Sequence, residues 1–265
     1  MPIPRYLAMT AAEMAGCTAL PRQVAWMACH FSSSGKGLSN LPRWLPADSL
    51  LILDDSIPMQ GHDLQQIAVE LGACLERLQC VSLLLDFQRA GEEQTRKLVE
   101  HLQCVGLLLD FQRAGEEQTR KLAEYLYESL PFPIVVSDTY AEGLNCGVFV
   151  SPTPPDEAMA SRLSPWKGRE IWLDTTMEGL EILLTEEGAT STPLPPWERP
   201  EGSFEEKRLH CHYRISLEEN SAAFTFWRTK ADIEAQLAEA EALGVTAAVG
   251  LFQEFGSPLP ESEEG

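Results

Sequence analysis

The sequence predicts an α/β protein of the (β/α)8 TIM-like barrel class. Short apolar runs alternate with amphipathic segments along the whole chain. The runs are continuously apolar, as parallel strands buried on both faces require. Eight such units in about 250 residues is the size of a closed barrel. The competing open doubly wound sheet brings a Gly-rich first turn, and no GxGxxG occurs in this chain.

The expected strands begin at Ala25 (AWMACHF), Leu50 (LLILD), Leu83 (LLLDF), Ile134 (IVVS), Val148 (VFV), Ile171 (IWLD), Phe224 (FTFW) and Ala247 (AAVGLF). Between them, 62–77 places Leu64, Ile67, Ala68, Leu71, Cys74 and Leu75 on one helical face. In 231–243, Ile233, Leu237, Ala240 and Leu243 do the same, and Gly244 stands where a helix ends. Residues 187–203, rich in Pro, Gly, Ser and Thr, predict a long loop. Residues 208–217 and 222–227, separated by EENS, predict an antiparallel hairpin feeding the seventh barrel strand. A single domain is expected over 1–256, followed by an acidic disordered tail over 257–265.

Residues 78–101 and 102–125 are one segment written twice, matching at 21 of 24 positions. The differences are Ser82/Gly106, Val99/Ala123 and His101/Tyr125, and even solvent-type positions such as Gln94/Gln118 agree. Each copy is one βα unit, a recent duplication in place. Closing a barrel links strand number, tilt and shear, so a ninth strand is costly. The expectation is that one copy holds the third barrel position while the other is an extra unit, extruded or strained, its aspartate (Asp86 or Asp110) chemically idle.

Barrels of this class carry their sites at the C-terminal strand ends. Those ends supply His30, Asp54 and Asp55, Asp86 with Gln88 and Arg89, Asp138 and Tyr140, Asp174, Arg228, and Gln253 with Glu254. Paired carboxylates at such a mouth suit glycoside cleavage, in which one protonated acid serves the leaving oxygen and one ionised group acts as base or nucleophile. The candidate catalytic groups are Asp86, Asp138, Asp174 and Glu254. The candidate substrate contacts are His30, Asp55, Gln88, Tyr140, Arg228 and Gln253. Each carboxylate has a structural counterpart reading as a helix cap or ion-pair member.

The strand ends LLLDFQR, VVSDTY, IWLDTT and GLFQEFG resemble those of glycoside-hydrolase-type (β/α)8 barrels over roughly residues 24–256. The resemblance implies a carbohydrate-directed barrel. The DxxDxDxE signature of family 18 chitinases is absent, so it assigns no catalytic residue.

A small molecule or glycan is the expected ligand, with no cofactor. A net charge of −20 repels phosphate backbones and anionic membranes, so neither nucleic acid nor membrane is an expected partner. No run approaches the roughly 18 apolar residues that span a bilayer. Seven cysteines without a CxxC pair suit a reducing, cytoplasmic compartment. Two alternatives stand beside the hydrolase: a non-catalytic binding or scaffold barrel, and a metal-dependent hydrolase built on His210 and His212 of HCH. No third ligand is placed by spacing, and no metal is expected.

Overall fold

The computed structural model describes residues 3–111, 116–195 and 202–255. The acidic tail expected over 257–265 lies outside them. In chain order the first half contains β1 (Arg5–Met9), α1 (Ala11–Gly16), β2 (Val24–Phe31), β3 (Leu38–Ser39), β4 (Leu50–Asp54), α2 (Leu64–Leu78), β5 (Ser82–Asp86), α3 (Glu92–Val99), β6 (Leu107–Asp110), α4 (Glu117–Ser129) and β7 (Ile134–Ser137). The second half contains β8 (Gly147–Val150), α5 (Met159–Leu163), β9 (Ile171–Thr175), β10 (Gly179–Thr185), β11 (Gly188–Leu194), β12 (Phe204–Glu206), β13 (Cys211–Glu218), β14 (Ser221–Trp227), α6 (Lys230–Ala242), β15 (Ala247–Leu251) and α7 (Phe252–Phe255).

Strands β1, β2, β4 to β9 and β15 are parallel and close into a nine-stranded barrel through the β1–β15 and β1–β2 pairings. The interior holds Tyr6, Ala8, Ala25, Leu50, Ile52, Leu84, Leu108, Val135, Phe149, Trp172, Ala247 and Val249. Tyr6 and Trp172 stack there at 5.3 Å. The alternate residues, such as Leu51, Leu53, Leu83, Leu85, Leu107, Leu109 and Val136, pack outward in the core that also holds the buried faces of the helices. Helix ends follow their sequence signals. Thr10 and Glu13 form a reciprocal cap on α1, Thr229 and Asp232 do so on α6, and Asp63 caps α2.

Four expectations are corrected. Both duplicate copies are barrel staves: β5 and β6 are neighbours paired residue for residue from Leu83↔Leu107 to Asp86↔Asp110. Because the copies carry the same inward–outward alternation, the second widens the ring without reversing any face. Strand β1, not anticipated, stands in the ring. Its RYLAM alternates Tyr6 and Ala8 inward with Leu7 and Met9 outward, so it lacks the apolar run of a longer stave. The hairpin of 208–227 forms as β13 and β14, but FTFW is not a stave. Its partners on both sides are antiparallel, β10 and β13, in a separate five-stranded sheet ordered β11-β10-β14-β13-β12. Within the expected loop 187–203, residues 188–194 form β11, whose Thr and Ser residues face solvent along a hairpin with β10.

Candidate functional site

Alternation along the staves sets the mouth. Ile52, Leu84, Leu108 and Trp172 face the barrel interior, so the next inward positions, two residues on, are Asp54, Asp86, Asp110 and Asp174. Parallel register aligns His30↔Asp54, Asp54↔Asp86 and Asp86↔Asp110 in one layer. These aspartates line a cavity of about 490 Å³ together with Met27, Ile52, Leu84, Phe149 and Val249 on its apolar side and Gln88 and Arg89 at its rim. The duplication therefore adds a carboxylate to the site. Asp110 lines the same cavity as Asp86.

The carboxylates differ in electrostatic setting. Burial pushes Asp174 up to about 8, and the charges of Asp110, Glu254 and Asp86 add to the rise against a hydrogen bond from the Thr175 backbone. Burial likewise raises Asp86, helped by Asp54 and Asp55 and opposed by the Gln88 amide. Gln88 Nε2 donates to Asp86 Oδ1 at 2.5 Å and to the Asp110 carbonyl at 3.3 Å, so it bridges the two copies. Asp54 accepts from the Ser56 backbone at 2.8 Å. Asp174 is thus the mouth carboxyl most disposed to carry a proton at neutral pH.

The other sequence candidates divide by parity and by loop. Asp55 follows an inward aspartate, and it still contributes to the lining of the mouth cavity. It is buried, and it accepts from the backbone N–H groups of Gln88 (3.0 Å), Arg89 (2.6 Å) and Ala90 (2.5 Å), fixing the loop that presents Gln88. Asp138 follows the buried Ser137 of β7, off the inward face. It pairs with Arg162 at 2.5 Å and accepts from Ser151 Oγ at 2.9 Å, and it does not line the mouth cavity. Tyr140 is buried in the outer core. Arg228 is buried too, donating to the carbonyls of Thr153 (2.7 Å) and Pro154 (3.1 Å), where it ties the five-stranded sheet to the loop after β8. Glu254 accepts from Met177 N (2.7 Å) and Thr176 Oγ1 (3.1 Å), holding the loop after β9. Burial raises its pKa, with a further push from Glu178 and opposition from those two hydrogen bonds. Gln253 reaches Glu13 of α1. His30 stands on the mouth layer beside Asp54.

His210 and His212 take separate acidic partners on α6, Glu239 at 2.7 Å and Asp232 at 3.4 Å. Among the described residues no group of three or more His, Cys, Asp or Glu side chains is arranged to hold a metal ion. No described helix is long and apolar enough to cross a membrane.

No protein-family model matches the chain. No curated protein sequence matches it. Among solved structures, the spore cortex-lytic enzyme SleL of Bacillus cereus aligns over 98% of this chain and 72% of its own, at 8% identity and a TM-score of 0.50. A chitinase from Chromobacterium violaceum ATCC 12472 aligns over 96% of this chain and 95% of its own, at 8% identity and a TM-score of 0.49. The GH18 chitinase of Cycas revoluta, solved in complex with (GlcNAc)3, aligns over 93% of this chain and 94% of its own, at 9% identity and a TM-score of 0.44. What is shared at such identities is the fold, and the chain has the fold of glycoside-hydrolase barrels.

Proposed function

We propose that the barrel mouth binds a carbohydrate and cleaves it, with Asp174 as proton donor and the carboxyl group of Asp110 or Asp86 as its partner. The observation that carries this reading is the convergence of Asp86, Asp110 and Asp174 on one cavity, which Asp54, Asp55, Gln88 and Arg89 also line and which Ile52, Leu84, Phe149 and Val249 close on the apolar side. An acid kept protonated beside an ionised neighbour is the division of labour that glycoside cleavage requires. Phe149 offers a ring face at the same cavity. Glu254 serves by positioning the loop after β9 and by raising Asp174. Asp138 keeps its place as a candidate through the Ser151–Arg162 network rather than through contact with the cavity. The negative mouth suits a neutral or cationic sugar, not an anionic polymer. Seven cysteines standing as free thiols support a reducing, cytoplasmic setting.

Hydrolysis of a panel of neutral and cationic oligosaccharides, followed by release of reducing ends, tests the reading. Asp174→Asn should lower turnover by about 100-fold or more, the usual share of a general acid. Wild-type turnover should fall as pH rises through about 8, where Asp174 loses its proton. Unchanged turnover in Asp174→Asn would remove Asp174 from the mechanism.

A second reading, binding without cleavage, is favoured by the Gln88 amide. Its bond to Asp86 Oδ1 occupies one carboxylate oxygen, and an amide supplies no acidic proton. Oligosaccharide binding by the wild type with no turnover, weakened by Gln88→Ala, would establish that reading over the first.

A further inference from the structure

We propose that the five-stranded sheet is a self-association surface, its apolar face packing against the same face of a second copy of this chain. Directly paired residues in a sheet share a face, so register alone assembles this surface. One row runs Pro193, Leu180, Phe226, Tyr213, Phe204; the next runs Ser191, Ile182, Phe224, Ile215; the third runs Ala189, Leu184, Ala222, Leu217. Rings touch along the first row, Phe204 against Tyr213 at 5.6 Å and Tyr213 against Phe226 at 6.3 Å. The opposite face carries Glu181, Thr192, Thr190, Thr225, Arg214, Ser216, His212 and Glu205, with Leu183, Ala223, Leu194 and the buried Trp227 as its apolar members. Such apolar/polar alternation is the pattern of a sheet built to be covered on one side.

Among the described residues that side is open. Leu217 is 77% exposed, Phe204 62%, Ile215 43% and Leu184 39%. None of the three rows contributes to either hydrophobic core of the barrel. A contiguous apolar patch of this size marks an interaction site.

Size and charge single out a second copy as the occupant. Strands β10, β11 and β14 are seven residues long. Five strands at about 4.8 Å spacing and about 3.4 Å per residue give a flat area of roughly 500 Å² per copy. Side-chain relief raises that toward the about 800 Å² per partner of a standard interface. Two such sheets stack face to face at about 10 Å with their side chains interdigitated. The chain carries a net charge of −20, yet these rows hold no charged side chain, so two copies meet without opposing like charges at the contact.

Sedimentation equilibrium of the full chain tests this. The wild type should sediment at twice its 29.4 kDa mass at micromolar concentration. The double substitution Ile215→Glu/Leu217→Glu should sediment as a monomer with the wild-type circular dichroism spectrum, since both side chains are exposed. Arg214→Glu, on the opposite face of the same strand, should remain dimeric. A wild type monomeric at every concentration up to solubility, or a dimer that survives the double substitution, overturns the proposal. So does a monomeric wild type that binds neutral phosphatidylcholine vesicles and loses that binding on the double substitution, because the face would then be a lipid contact.

Discussion

Replacing Asp174 with asparagine should make stability less dependent on pH in a calculable way. Burial and the neighbouring Asp110, Glu254 and Asp86 raise this carboxyl from its ordinary 3.8 to about 8. Between those values the folded chain holds a proton that the unfolded chain releases, so this group's contribution is full in acid and is lost as pH rises toward 8. One pH unit is worth about 1.4 kcal/mol, and the whole interval amounts to roughly 5–6 kcal/mol. Asparagine cannot titrate, and its amide oxygen can still accept from the Thr175 backbone. The stability of Asp174→Asn relative to wild type should therefore climb by about 3 kcal/mol between about pH 5 and about pH 7.5. Urea unfolding followed by tryptophan fluorescence at both pH values measures it. Taking the difference between variant and wild type removes the pH dependence that Asp86 and Glu254 owe to their own burial, and leaves Asp174 with its coupling to them. A difference that stays flat across that range would refute the assignment of a proton to Asp174, and with it the electrostatic basis of the site.

Further consequences follow from the same geometry. Deleting residues 102–125 rejoins α3 to the last turn of α4, because the removed segment is a copy. The product should fold as an eight-stranded barrel whose circular dichroism spectrum keeps the α/β shape of the wild type; an unfolded product would show that the ninth stave is indispensable. Asp55→Ala strips three backbone N–H groups of their acceptor and should cost about 3 kcal/mol by urea denaturation, with Asp55→Asn costing less. Arg162→Ala leaves the Asp138 carboxylate buried without its partner and should cost about 2–3 kcal/mol, whereas Asp138→Asn should cost less and should not alter ligand binding at the mouth.

The barrel was legible because LLILD, LLLDF, IVVS and IWLD are apolar at both parities, a pattern that only doubly buried parallel strands need. RYLAM escaped notice because its five residues mix Arg5 and Tyr6 with three apolar positions, and alternation over so short a stretch resembles an N-terminal coil. FTFW misled for the opposite reason. Only Thr225 interrupts its apolar run, but β14 stands two residues from the preceding strand, a spacing that allows only an antiparallel return, whereas a stave needs a helical crossover. At the site, strand-end position alone grouped Asp86, Asp138 and Asp174 together. Parity separates them. Asp86 and Asp174 lie two residues beyond the inward Leu84 and Trp172, while Asp138 lies three beyond the inward Val135 and finds Arg162 instead. The same count would have brought in Asp54 and Asp110. The positions of Tyr140, Arg228 and Glu254 depend on turns after their strands, which carry no such period.

Carbon-13 NMR titration of the aspartate carboxyls, with and without an oligosaccharide, tests the central claim most directly. The account predicts one carboxyl titrating near pH 8, absent in Asp174→Asn and shifted when the sugar occupies the mouth. A spectrum in which every aspartate titrates below about pH 6, or in which that high titration ignores every sugar offered, would contradict it.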